Sequence, residues 1–209
     1  MKSLADCRLY TFIDTAYLQG REPEILARQL CDGGSDLIQL RAKKSSSDEV
    51  RRMAEKILPI TKRSNVGLVI NDYPDIAGDL GAELCHVGQE DFEELKFQTS
   101  NFKISFGLST HSPAQALAAL KTNAAYIAVG PVFATGTKPT AKPVTLEYVR
   151  WAAANVTVPW FAIGGINLKN LDEVIAAGAK RICVVSAILN APDVARACRE
   201  FRERLGTHS

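Results

Sequence analysis

No stretch of this sequence is apolar enough to cross a bilayer. The longest nearly apolar run, Ala124–Ala134, contains Gly130 and Pro131 and falls well short of the roughly 20 residues that a spanning helix needs. An excess of charge of one sign is also missing: 25 Lys and Arg against 23 Asp and Glu leave +2 at pH 7. That is too little for a general nucleic-acid binder, so any anionic ligand must be met by local basic groups and backbone amides. The five cysteines, Cys7, Cys31, Cys85, Cys183 and Cys198, are scattered and form no CxxC pair, which reads as reduced core thiols. Near the start, Asp6 and Arg8 stand where a secretory signal would carry its apolar segment. The expectation is a cytoplasmic chain that binds neither nucleic acid nor membrane. Three histidines without a Cys, His or Asp at ligand spacing give no zinc site. Neither GxxxxGK[ST] nor a Ser-His-Asp arrangement is present.

What is there is a repeating pattern. The 209 residues, 46% hydrophobic and 23% charged, suit one globular domain and exclude disorder. Short β-rich runs are expected at Arg8–Ile13, Asp36–Arg41, Gly67–Asn71, Glu83–Val87, Lys103–Leu108, Ala125–Gly130, Trp160–Gly164 and Arg181–Ser186. Amphipathic stretches with helix punctuation separate them. Ser46 and Glu49 read as a capping box, Ser112, Pro113 and Gln115 as a cap, a first-turn proline and a box partner, Asn167 as a cap with Gly178 as the stop, and Pro192 as the opening of the last helix. Eight strands each followed by a helix is the count of a compact single-domain (β/α)8 barrel over residues 1–209. A doubly wound open sheet is the alternative. In both, ligands bind at the carboxyl ends of the strands.

The polar residues fall at those ends. Side chains alternate along a strand, so Gln39 and Arg41 share one face while Ile38 and Leu40 pack under helices. A guanidinium facing a barrel mouth is either a ligand for an anion or half of an internal ion pair with an acidic strand end. Asp72 and Asp91 follow consecutive strands and could converge on Mg²⁺, which prefers carboxylate oxygens together with water and phosphate; each alone also reads as a helix cap. The long connection 131–143 carries Thr135, Gly136, Thr137 and Lys138, hydroxyls and a charge suited to phosphate. Gly165 and Ser186 follow the last two strands, where such barrels often bind phosphate with backbone N–H groups.

These segments, QLRAK (39–43), ND (71–72), HVGQED (86–91), GLSTH (107–111), GPVFATGTK (130–138), AIGGI (162–166) and VVSAI (184–188), together resemble the thiamine-phosphate synthase family, in that family's order and over nearly the whole chain. The resemblance implies a transferase that joins 4-amino-2-methyl-5-hydroxymethylpyrimidine diphosphate to a thiazole phosphate, which could carry a carboxylate, and releases pyrophosphate. It implies that Gln39, Arg41, Lys43, Asn71, Ser109 and Lys138 bind the pyrimidine diphosphate, with Arg41, Lys43, Ser109 and Lys138 as the catalytic set. Asp72 and Asp91 would hold Mg²⁺. Thr135, Thr137, Gly165, Val185 and Ser186 would bind the thiazole phosphate, and Leu40, Ala42 and Gly136 are substrate-binding positions by their place in the same motifs. Two rivals share the barrel: a thiazole tautomerase-like isomerase, which has no diphosphate to ionise, and a non-catalytic thiazole phosphate-binding barrel. The sequence leaves open whether copies of the chain associate as a homo-oligomer.

Overall fold

The computed structural model describes residues 2–89, 92, 104–137 and 142–206. Its eight strands are β1 Leu9–Asp14, β2 Leu37–Arg41, β3 Gly67–Asn71, β4 Leu84–Val87, β5 Ser105–Thr110, β6 Tyr126–Val129, β7 Trp160–Ile163 and β8 Ile182–Cys183. They pair in chain order, all parallel, and β1 closes on β8, so the sheet is a barrel. The open-sheet alternative is thereby excluded. Among the described residues no helix is long and apolar enough to cross a membrane.

Alternation along each strand sorts the core into two layers. Leu9, Ile13, Ile38, Leu40, Leu68 and Ile70 are buried on the face turned to the helices. They meet stripes such as Leu26, Ala27 and Leu30 on the helix Pro23–Asp32, and Val50, Ala54, Ile57 and Leu58 on the helix Ser47–Arg63. The opposite face fills the barrel with aromatic rings. Tyr10, Tyr126 and Phe161 meet edge to face with centroids 5.4 to 5.8 Å apart, a favourable arrangement of ring quadrupoles. Gly107 makes room for this cluster, because a Cβ there would stand 2.0 Å from Tyr126 Cζ.

The helix signals hold at two sites and shift at two others. Ser46 Oγ accepts from Glu49 N, and the Glu49 carboxylate accepts from Ser46 N at 2.8 Å, a complete capping box. Ser112 Oγ accepts from Gln115 N, but the Gln115 carbonyl accepts from His111 N, one residue earlier than a box requires. Asn170, not Asn167, holds the N-cap position of the helix Leu171–Ala176, without a side-chain cap bond; Asn167 closes the preceding turn by accepting from Lys169 N. Pro192 lies two residues ahead of the final helix, Val194–Gly206. The last strand is shorter than its apolar run suggests, because Ser186–Leu189 forms a helical turn. β1 runs one residue further than expected, which makes Asp14 a strand-end acid.

One buried carboxylate staples the amino-terminal rim of the barrel. Asp36 accepts from Arg8 N at 2.7 Å and Leu9 N at 3.1 Å, from Lys2 Nζ at 2.9 Å and from Arg202 Nη1, with its side chain 1% exposed. Burial by itself would raise its pKa, but the two backbone donors, Lys2 and Arg202 outweigh it and hold the carboxyl below its ordinary value. Because the folded-state pKa is the lower one, this stabilisation is present above the ordinary aspartate range and lost as the pH falls through the depressed value. We expect Asp36→Ala to destabilise the fold by about 3 kcal/mol or more, since it strands two buried N–H groups and a guanidinium. Acid unfolding followed by circular dichroism should lose its steepest portion below about pH 4 in Asp36→Asn; an unchanged acid limb would contradict this assignment.

Candidate active site

The strands all point the same way, so their carboxyl ends share one mouth, and the polar strand-end residues meet there. Gln39, Arg41, Lys43, Asn71, Asp72 and Ser109 line a single cavity of about 130 Å³ together with Thr135, Thr137, Gly165, Val185 and Ser186. Three of the expected positions do not line it. Leu40 is 1% exposed and lies on the helix-facing side of β2, Ala42 is buried at 5%, and Gly136 faces the Tyr17 hydroxyl, 3.9 Å from where its Cβ would be. Their place in the motifs marked them; the alternation of the strand explains why Leu40, two residues from Ile38, turns outward. Asp91 and Lys138 lie outside the described residues.

Arg41 and Lys43, at the end of β2, are each held by an acid. Arg41 Nη1 donates to Asp14 Oδ2 at 2.7 Å, with the two side chains 15% and 1% exposed. Asp14 and Arg41 are register partners on neighbouring strands, and Asp14 Oδ1 also caps the turn Thr15–Tyr17 by accepting from Ala16 N. The ion pair foreseen as an alternative is therefore present, and Arg41 still reaches the cavity. Lys43 Nζ pairs with Asp72 Oδ2, which also accepts from Asn71 Nδ2 at 2.6 Å. Asp72 has φ +66°, a left-handed conformation that a short polar side chain tolerates better than most. Among the described residues its Oδ1 accepts no hydrogen bond, so one hard oxygen remains for a cation. Among the described residues no cluster of three or more His, Cys, Asp or Glu gathers, and a second carboxylate would have to come from Asp91.

The Gly164–Gly165 step serves loop packing. Gly164 has φ +105° and a Cβ there would meet Pro131 Cβ at 2.4 Å; Gly165 has φ +66° and a Cβ would meet Ala134 O at 2.6 Å. Phe133 N donates to Gly164 O at 3.0 Å, so the two glycines let the loop after β6 lie directly on the loop after β7. Thr135 and Thr137 of that loop line the cavity along with Gly165 and Ser186. Tyr17 Oη and Thr137 Oγ1 are 3.1 Å apart, joining the segment after β1 to the same loop.

Several residues of the site gave no sequence signal of their own. Asp14 reads as the polar end of an apolar strand, and its role depends on which strand lies beside it. His86 bonds through Nδ1 to Tyr126 and through Nε2 to Ser109, and it also lines the cavity. Tyr10, Phe12, Ile163 and Ile166 supply apolar wall, suited to flat heteroaromatic ligands. Cys183 lines the cavity as well, but burial pushes its thiol well above the ordinary range, so it is a packing group and not a nucleophile.

The chain resembles known proteins over most of its length. The family described as Thiamine monophosphate synthase matches residues 9–188. The thiamine-phosphate synthase of Thermus thermophilus is 48% identical over 177 residues, covering 83% of this chain and 84% of that one. That of Acidothermus cellulolyticus is 43% identical over 206 residues, 97% of each. The solved structure of thiamine phosphate pyrophosphorylase from Pyrococcus furiosus superposes with a TM-score of 0.88 at 29% identity over 99% of both chains. With this barrel, this cavity and relatives at that identity over that length, the chain belongs to the thiamine-phosphate synthase family and catalyses its condensation.

Proposed function

We propose that the cavity takes 4-amino-2-methyl-5-hydroxymethylpyrimidine diphosphate against the β2–β5 side of the mouth and a thiazole phosphate against the β6–β8 side. The observation that carries this reading is the charge arrangement: Arg41 and Lys43 are fixed at one rim by Asp14 and Asp72, beside apolar wall, with the hydroxyls of Thr135, Thr137 and Ser186 across the cavity. A diphosphate belongs with the cations and a monophosphate with the hydroxyls and backbone amides.

The chemistry asks little of a nucleophilic side chain. The bond between the pyrimidine CH₂ and the diphosphate oxygen breaks, and its electron pair leaves with the diphosphate. The aminopyrimidine stabilises the cation left behind, and the lone pair of the thiazole nitrogen forms the new C–N bond. Arg41 and Lys43, with Lys138 by its place in the family's motif, stabilise the charge that grows on the leaving group. Apolar walls and ordered hydrogen-bond donors hold the two rings face to face, a positioning contribution of about 7 kcal/mol or more. Asp72 and Asp91 would hold Mg²⁺, which supplies further positive charge to the diphosphate. Among the described residues Asp72 Oδ1 has no hydrogen-bond donor, which supports this, and Lys43, already on Oδ2, would keep the carboxylate oriented.

Two outcomes are expected. Pyrophosphate release from the two substrates should require Mg²⁺, and Asp91→Ala should lower it about a hundredfold or more without unfolding the protein; turnover that survives both EDTA and that substitution would refute the metal assignment. Asp14→Asn removes the buried charge that fixes Arg41, so the KM for the pyrimidine diphosphate should rise about tenfold with that for the thiazole phosphate unchanged. Steady-state kinetics with each substrate varied in turn checks this, and equal effects on both would contradict the division of the cavity.

A further inference from the structure

Five side chains from five strands form one hydrogen-bonded chain beneath the mouth. Gln39 Nε2 on β2 donates to Tyr10 Oη on β1 at 2.6 Å. The hydroxyls of Tyr10 and of Tyr126 on β6 are 2.9 Å apart. Tyr126 Oη lies 2.9 Å from Nδ1 of His86 on β4, and His86 Nε2 lies 2.9 Å from Ser109 Oγ on β5. Gln39, Tyr10, His86 and Ser109 line the cavity, whereas Tyr126 does not and is fully buried. Tyr126 is thus the one member of the chain that acts on a ligand only through its neighbours.

Such a chain has a direction. A hydroxyl carries a single proton, so one that accepts from the first of two partners keeps that proton hydrogen-bonded only by donating to the second. Tyr10 accepts from the Gln39 amide and so donates to Tyr126. Tyr126 then donates to Nδ1 of His86, which makes Nδ1 the lone-pair nitrogen and leaves the ring N–H on Nε2. That N–H donates to Ser109 Oγ, and the Ser109 proton is left for a ligand in the cavity. Burial, the main cause, pushes both phenols well above the ordinary tyrosine range, so each keeps its proton. The rings are also fixed: Tyr126 lies edge to face with Phe161 at 5.5 Å and stacks on His86 at 5.7 Å.

We propose that Tyr126, with Tyr10 behind it, is a positioning residue of the transfer reaction, setting the proton direction of this chain so that Ser109 presents a hydroxyl donor to the departing diphosphate. The inference rests on the reading that the diphosphate lies beside Ser109. A donor that strengthens its bond as charge develops acts on the rate more than on binding.

The experiment combines nitrogen-15 NMR of histidine-labelled protein with kinetics of Tyr126→Phe, Ser109→Ala and the double variant. In the wild type without substrates, His86 should carry its proton on Nε2, and Tyr126→Phe should disturb that pattern. The single substitution should lower kcat about tenfold with KM for the pyrimidine diphosphate within about twofold, and in the Ser109→Ala background it should cost less than about twofold more. Tyr148→Phe removes another buried tyrosine hydroxyl, one bonded to Thr110, and should leave kcat unchanged. If Tyr126→Phe does not fold, Tyr10→Phe breaks the same chain one link earlier and is read in the same way. A proton on Nδ1 in the wild type, or losses that simply add in the double variant, would overturn the proposal. The expected His86 pattern in a protein that performs no transfer would instead refute the functional reading and leave the direction of the chain standing.

Discussion

A positive charge cannot sit idle at the rim of a folded barrel. Desolvating a guanidinium costs more than a protein of ordinary stability can spare unless an opposite charge or a ligand answers it. At the β2 end that answer is Asp14, almost wholly buried and in register with Arg41. The pair permits a cation to wait at the mouth, aimed and partly neutralised, until an anion of higher charge arrives. Lys43 with Asp72 repeats the device one strand further round. The placement of the other site residues follows from these two fixed points, because parallel strands of matched register bring β3 to β5 past them in turn.

Below the charged rim the barrel interior is aromatic and polar together. Tyr10, Tyr126 and Phe161 fill volume as a core must, yet the two hydroxyls and the His86 ring are bonded to one another and to Gln39 and Ser109. A polar group buried in this way is tolerated because each one has a partner. The same satisfaction gives the chain a single order, so the floor of the cavity presents defined donors and acceptors instead of an average. Rigid strands, not loops, carry these groups. The loops after β6 and β7 add the hydroxyls, and the paired glycines Gly164 and Gly165 let those loops pack without a gap.

Much of this was legible because it is local. Period-two alternation puts Gln39 and Arg41 on one face, the Ser46–Glu49 box starts its helix where expected, and strand ends gather at one mouth once the strands are parallel. The rest depends on which distant segments become neighbours. Tyr10 and Tyr126 are 116 residues apart, and Asp14 and Arg41 are 27 apart; nothing in either segment names its partner. Leu40 and Ala42 were marked by a motif whose alternate members face the helices. Gly165 reads as room for a phosphate and does line the cavity, but that it also lets the chain pack against Phe133 and Ala134 depends on a loop about thirty residues away. The apolar run at β8 looked like a longer strand, but it pairs only at Ile182–Cys183 and turns helical from Ser186.

The central claim is that the cations of the β2 rim hold the diphosphate. Titration calorimetry with inorganic pyrophosphate and Mg²⁺, on the wild-type protein and on Arg41→Ala, tests it without the organic substrates. The expected result is one pyrophosphate bound per chain, displaced by the pyrimidine diphosphate, weakened as salt is raised and at least about tenfold weaker in the variant. Pyrophosphate that binds the variant as tightly as the wild type would contradict it.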